Sequence, residues 1–334
     1  MVHLLFRRFQ NLDKPLISLT ATQKAALENF RKKLANGVYN FEDVPCLCGA
    51  KSDILVSQTD RYALPVRTLL CKSCGVMRTS PRMTKESLER FYNEDYRKIY
   101  DSRTFDEFFS EQYKHGKQIF HFIMNHISPS DAPTVYDIGC GAGGTLVPFV
   151  EAGWRAFGCD LTPEYIDRGR ACGLSIEYGG PSVLAKHGKA DVVLLVHVLE
   201  HLPDPLGALF EISSMVKEGG WLYIELPGIF SIHRTYGDFL LFLQNAHLYH
   251  FTLTTLTALA TKAGFRLVKG NERIWALYQK ENNVPLIGTN KQYFKILVYL
   301  ALLELGRVSH LLTITRSVAR FIIRAARLYM RGGA

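Results

Sequence analysis

Three groups of residues in this 334-residue chain have the types and spacing to do chemistry. The first is the run from Val135 to Thr145, in which Gly139, Gly141 and Gly143 follow an apolar stretch that contains Asp137. Alternating glycines let a backbone leave a strand sharply and approach a ligand, and a helix that follows turns its free N–H groups toward that ligand. Gly139, Gly141 and Gly144 also satisfy the G-x-G-x-x-G spacing of dinucleotide sites, so two cofactor classes compete for the loop. Asp137 separates them. A dinucleotide fold places an apolar residue there, whereas a buried carboxylate requires a partner such as a ligand ammonium. Asp160, at the end of a second short strand beginning at Trp154, is placed to accept hydrogen bonds from ribose hydroxyls and suits either class.

The second group is Cys46, Cys48, Cys71 and Cys74. Cysteines in a reducing compartment are read as metal chemistry when their spacing permits it, and these form two knuckles, each followed by glycine. Four thiolates can converge on one structural Zn2+, with the intervening segment forming a small β-ribbon. The first knuckle is C-x-C where C-x2-C is usual, and reduced structural cysteines are the alternative. Cys140, Cys159 and Cys172 are scattered and read as small buried residues. The third group lies between Pro227 and Thr252. His233, Tyr236, Asp238, His247, Tyr249 and His250 could take a proton or bind hydroxyls.

The elements that must position these groups follow from periodicity. Strands are predicted near Thr134–Ile138, Arg155–Cys159, Leu174–Tyr178, Val192–Val196 and Trp221–Leu226, alternating with helices, which gives an α/β parallel sheet covered on both faces. Phe265–Lys269 and Ile274–Lys280 are too close for a parallel crossover and must be antiparallel. The expected organisation is a helical segment over 1–40, a zinc ribbon over 41–82 and a Tyr-rich helical linker or lid over 83–125. A core over 126–282 with a substrate insertion at 227–252 and a helical tail over 283–334 complete it. Thr84 caps the Tyr-rich helix, and Phe91, Tyr92, Tyr96 and Tyr100 recur near helical spacing, as a lid or as packing.

The strand from Ala190 runs into His197 and then Glu200 and His201. With the glycine loop, Asp137, Asp160 and the antiparallel last strand, residues 110–280 resemble the class I S-adenosylmethionine (SAM) dependent methyltransferases. The resemblance implies a seven-stranded Rossmann-like core. It also implies that Asp137 and the backbone of Gly139, Cys140, Gly141 and Gly143 hold the methionine half of SAM, Asp160 the ribose and Leu161 the adenine, with His197 near the sulfonium. A core role for His197 is the alternative, and Glu200 with His201 more commonly stabilises a turn or cofactor than performs chemistry. The ribbon, the Ser80-Pro81-Arg82 turn and the Tyr-rich segment resemble bacterial methyltransferases of surface-polysaccharide and deoxysugar pathways. The segment Ala246 to Thr252 resembles the Glu-His-x-x-Tyr-Phe-Ser stretch of sugar C-methyltransferases, which implies His247 as base with Tyr249 and His250 beside it. Here Ala246 replaces the glutamate and His250 the tyrosine, which moves the reading from C- toward O-methylation of a nucleotide-sugar or polysaccharide precursor.

Hydrophobic content of 47% suits a large core. No leader pattern occurs in Met1–Gln10 and no run of 18 uncharged apolar residues occurs, so a cytoplasmic address is expected. The net charge of +9 resides outside residues 131–280, which are slightly acidic. Arg316, Arg320, Arg324, Arg327 and Arg331 fall on one helical face. That face can lie peripherally on an anionic membrane, pack on protein or a second subunit, or meet nucleic acid. An RNA methyltransferase with a zinc-ribbon substrate module, or a non-catalytic SAM-binding scaffold, are the competing functions. The acidic core disfavours nucleic acid, and the histidine cluster disfavours a scaffold.

Overall fold

In the computed structural model, residues 4–309 are described, and they form two compact units. One holds residues 91–226 and 257–287, the other residues 4–90, 227–256 and 288–309.

The first unit is built on seven strands: β6 (Thr134–Ile138), β7 (Arg155–Asp160), β8 (Ser175–Tyr178), β9 (Ala190–Val196), β10 (Val216–Glu225), β12 (Phe265–Gly270) and β13 (Trp275–Lys280). Their order is β12-β13-β10-β9-β6-β7-β8, and β13 alone runs against the rest. All of β6 is buried, as a central strand covered on both faces must be. The twenty-residue helix Phe105–Met124 starts at a capping box of Thr104 and Glu107 and buries Ile119 and Ile123 against Val135, Phe149, Val192 and Leu277. Gly116 lets this helix approach the glycine loop, since a Cβ there would stand 2.8 Å from the Thr145 backbone. The expected α/β sheet with a reversed strand is the observed one.

The second unit contains the cysteine ribbon. Strands β2 (Asp53–Ser57), β3 (Thr68–Cys71), β4 (Met77–Thr79) and β11 (Tyr249–His250) form one antiparallel sheet in the order β11-β4-β3-β2, and β1 (Phe41–Glu42) pairs with β5 (Arg82–Met83). The segment expected as an insertion of the catalytic core is therefore a structural part of the ribbon, with Tyr249 opposite Arg78 and His250 opposite Met77. Phe239, Leu240 and Phe242 from that segment join Phe9, Met77, Ile296 and Leu300 in one core. The last two come from the helix Gln292–Ser309, so this helix is core rather than appendage. Arg8 ties the same pieces together through Asp238 (2.8 Å) and Glu304. Arg316, Arg320, Arg324, Arg327 and Arg331 lie outside the described residues. Among the described residues no helix is long and apolar enough to cross a membrane.

Candidate active site

Strand β6 delivers the glycine loop at its carboxyl end, where ligands of open α/β sheets bind. Gly139, Gly141 and Gly143 have φ of +70°, +56° and +80°, left-handed conformations that disfavour any side chain. The N–H groups of Gly139 and Cys140 donate to Cys159 O at 2.8 and 3.0 Å, which folds the loop onto β7. A Cβ on Gly139 would stand 2.6 Å from Val198 Cγ2. Beneath the loop Asp137 is 1% exposed, and its Oδ2 has no hydrogen-bond partner among the described residues. Burial, then the nearby Asp160, pushes its carboxyl up to about 8. An orphaned carboxyl oxygen in a protein interior is costly until a donor arrives, so this residue fits the ammonium of SAM.

Asp160 is more occupied than the sequence implies. Its Oδ2 accepts from Gly141 N and its Oδ1 from Thr162 N, both at 2.8 Å. It braces the loop, and each carboxylate oxygen keeps a further lone pair for a hydroxyl. Leu161 beside it is 62% exposed, an apolar surface open to a planar base. Cys140 is buried, and desolvation raises its thiol well above the ordinary range, so it stays neutral.

Two loop contacts come from the helix Phe105–Met124 and went unread in the sequence. Gln112 Nε2 donates to Cys140 O at 2.9 Å, and Gln112 Oε1 accepts from Gly144 N at 3.3 Å. Phe108 lies against Gly141 and stacks on Tyr165, which also meets Phe105 and the Arg97 guanidinium, the latter 3.8 Å from the ring centre. No local pattern marks a glutamine or phenylalanine as a loop clamp; only the close approach at Gly116 does.

His197 follows β9 with φ of +56°, a strained value for a residue with a side chain. Its Nδ1 is 3.4 Å from Glu200 and its Nε2 is 3.6 Å from Glu225. Desolvation favours the neutral ring, but these two carboxylates outweigh it and raise His197 to about 10. Glu225 also accepts from Tyr223 (2.8 Å) and lies 2.9 Å from His115 Nε2. His201 meets the Tyr92 hydroxyl at 3.0 Å, and Tyr92, Tyr96 and Tyr100 form a row of rings about 5 Å apart, with His201 against the first two. His115, Tyr223 and Glu225 were missed in the sequence. A signal existed for Glu225, since an acid in an apolar strand run is what drew attention to Asp137.

The remaining candidates belong to the ribbon unit. His247 and His250 are buried, with ring centres 5.8 Å apart. Gln244 Oε1 accepts from Arg61, which leaves the Gln244 amide nitrogen to meet His247 Nε2. Tyr249 takes a hydrogen bond from Arg82 at 3.2 Å; burial raises its hydroxyl and Arg82 opposes the rise. Of the other groups, His233 binds the Tyr299 hydroxyl, Tyr236 packs on Phe242 and Asp238 pairs with Arg8, so these serve the fold.

The four thiols do converge. Cys46 and Cys74 sulfurs are 3.3 Å apart, Cys48 and Cys71 3.7 Å, and all four lie within 4.8 Å of one another. Tetrahedral Zn–S bonds of about 2.3 Å place sulfurs about 3.8 Å apart, so the C-x-C knuckle does not spoil the fit. A donated Cys74 thiol draws Cys46 down to about 5 against its burial. Arg78, bound through both terminal nitrogens to Asp53 at 2.8 Å, puts a buried cation beside this thiolate cluster.

A family profile described as a methyltransferase domain matches residues 97–269. Among curated proteins the chain is 30% identical over 111 residues to a ubiquinone biosynthesis O-methyltransferase of Albidiferax ferrireducens, covering 30% of this chain and 44% of that one. The namesake from Methylococcus capsulatus is 31% identical over 112 residues, covering 31% and 47%. The chain thus spans about half the length of these relatives. A SAM-dependent methyltransferase structure from Archaeoglobus fulgidus aligns with 22% identity and a TM-score of 0.39, over 46% of this chain and 69% of that one.

Proposed function

The chain belongs to the methyltransferase-domain family and is a SAM-dependent methyltransferase, and from that premise we propose that it methylates a hydroxyl of a sugar, borne by a nucleotide or a surface-polysaccharide precursor. Bound SAM supplies an electrophilic methyl group, and its transfer to a neutral hydroxyl releases one proton. Asp137 accepts hydrogen bonds from the methionine ammonium, the left-handed glycines admit the cofactor against bare backbone, and Asp160 and Leu161 take the ribose and the adenine. His247 is the base that receives the proton, with Tyr249 and His250 beside it. Zn2+ on Cys46, Cys48, Cys71 and Cys74 is structural: it holds the ribbon on which β11 is laid.

The observation that carries the acceptor reading is a cleft of about 450 Å³ in the ribbon unit. Gln10, Asn11, Gln58 and Arg67 line it, and none of their side chains makes a hydrogen bond among the described residues. Phe41, 45% exposed, and Leu12, Pro65 and Pro81 supply apolar wall. Unspent planar amides and a guanidinium beside an aromatic face suit a polyhydroxylated ring, whose edges are polar and whose faces are not. The relatives named O-methyltransferases support oxygen as the acceptor atom; they align with about a third of this chain. The test is formation of S-adenosylhomocysteine from SAM over nucleotide-sugars, lipid-linked glycans, polyprenyl phenols and RNA. Turnover with a sugar acceptor, lost in His247→Ala while SAM affinity is kept, is expected; turnover confined to phenols or RNA would overturn the acceptor reading.

A further inference from the structure

Glu225 ends β10 as an acid in a run of apolar residues, and its side chain is only 7% exposed. Both of its oxygens are engaged. Oε2 accepts from Tyr223 and faces His115 Nε2, and Oε1 faces His197 Nε2. The Glu225 backbone carbonyl also accepts the His197 N–H at 2.8 Å, exactly one residue beyond the paired ends of β9 and β10. His197 is thereby gripped by backbone and side chain of the same residue at the point where its own φ is left-handed. Such a conformation persists where surrounding contacts over-determine it, and it recurs at working sites. The next residue, Val198, packs on Gly139 of the cofactor loop, and β9 is the sheet neighbour of β6.

We propose that Glu225 is a positioning residue for the cofactor site: its carboxylate, anchored by His115 and Tyr223, fixes the His197 ring beside the glycine loop. This rests on the assignment of that loop to SAM. The groups facing the ring are Glu200 from the turn Leu199–His201 and Glu225 from β10. His115 and Tyr223 contact Glu225, and His201 Nε2 lies 4.0 Å from the same Glu200 oxygen that faces His197. Burial works against the Glu225 charge, but His115 and then His197 draw it down to about 2, so the carboxylate is ionised throughout the working range. The two carboxylates near the ring, at 3.4 and 3.6 Å, favour its protonated form.

The test uses full-length protein, with Glu225→Gln and Glu225→Asp, 15N-imidazole titration of His197, and SAM affinity by calorimetry from pH 6.5 to 9. Wild type is expected to keep His197 protonated across that range. In Glu225→Gln its midpoint falls by about 1–3 pH units, the effect of removing one adjacent carboxylate. SAM affinity weakens on the order of 10-fold or more through the misplaced ring, with the deficit following the His197 titration, and Glu225→Asp restores much of both. His115→Gln, at a part-exposed helical position, loosens the same carboxylate and shifts His197 in the same direction if Glu225→Gln fails to fold. An unchanged midpoint in these variants, or a weakened affinity that ignores the His197 titration, would overturn the proposal. Wild type that binds no SAM would instead sink the cofactor assignment, while the titration still reports on the pair.

Discussion

Asp137 and Glu225 make the same argument twice. Each is an acid that follows an apolar run in its strand, and each lies at the carboxyl end of that strand. Their environments then diverge. Glu225 has cationic and hydroxyl partners and is held ionised, whereas Asp137 has a bare Oδ2 and is pushed up to about 8. A carboxyl raised in the folded state stabilises the fold fully below its unfolded value of about 3.9, and that contribution is lost as pH climbs toward the folded value. The ligand-free protein is therefore expected to lose melting temperature between pH 5 and about 8 more steeply than Asp137→Asn, which has no proton to lose. SAM should restore wild type at pH 8 and rescue the variant far less. Parallel melting curves for the two proteins would remove Asp137 from the cofactor site.

Among elements, the informative one is the two-residue strand β11. Alone it could not hold a register; it is fixed because Arg78 and Met77 on β4 are themselves fixed by the knuckle that follows β3. The glycine after Cys74 shows how tightly that knuckle is set, since a Cβ on Gly75 would stand 2.6 Å from Gln292 Cβ. Zinc on the four thiolates would then order His247, Tyr249 and His250 from a distance. One zinc per chain by elemental analysis is expected. Cys48→Ser, at the exposed ligand, should lose the metal and lower the melting temperature by about 2–4 °C per kcal/mol of lost stability. Metal-free protein with an unchanged melt would leave the cysteines as ordinary reduced residues.

At the scale of the whole molecule, the basic excess belongs to the ends of the chain and not to the catalytic unit. The helix Gln292–Ser309 is built into the ribbon unit through Ile296, Leu300 and the Arg8–Glu304 pair, so the membrane proposal concerns only residues 316–331, outside the described residues. Removing residues 312–334 is expected to abolish flotation with vesicles rich in phosphatidylglycerol. Equal flotation of both forms would end the membrane reading.

The sheet of the first unit was legible in the residues because its signals are local. Left-handed glycines, an acid beneath them, an acid one strand on and a loop too short for a parallel crossover each act over a few residues, and together they dictate the sheet and the loop at its carboxyl edge. The four cysteines were legible for the same reason, as their spacing within each knuckle is a local geometric demand. What joined distant parts of the chain was decided only by tertiary structure. His115, Glu225 and His197 come from a helix and two strand ends, Gln112 reaches the loop from that same helix, and β11 pairs with β4 across more than half the sequence. No periodicity encodes such contacts: they arise from how whole elements bury their apolar faces, and the side chains that meet there are set by that packing.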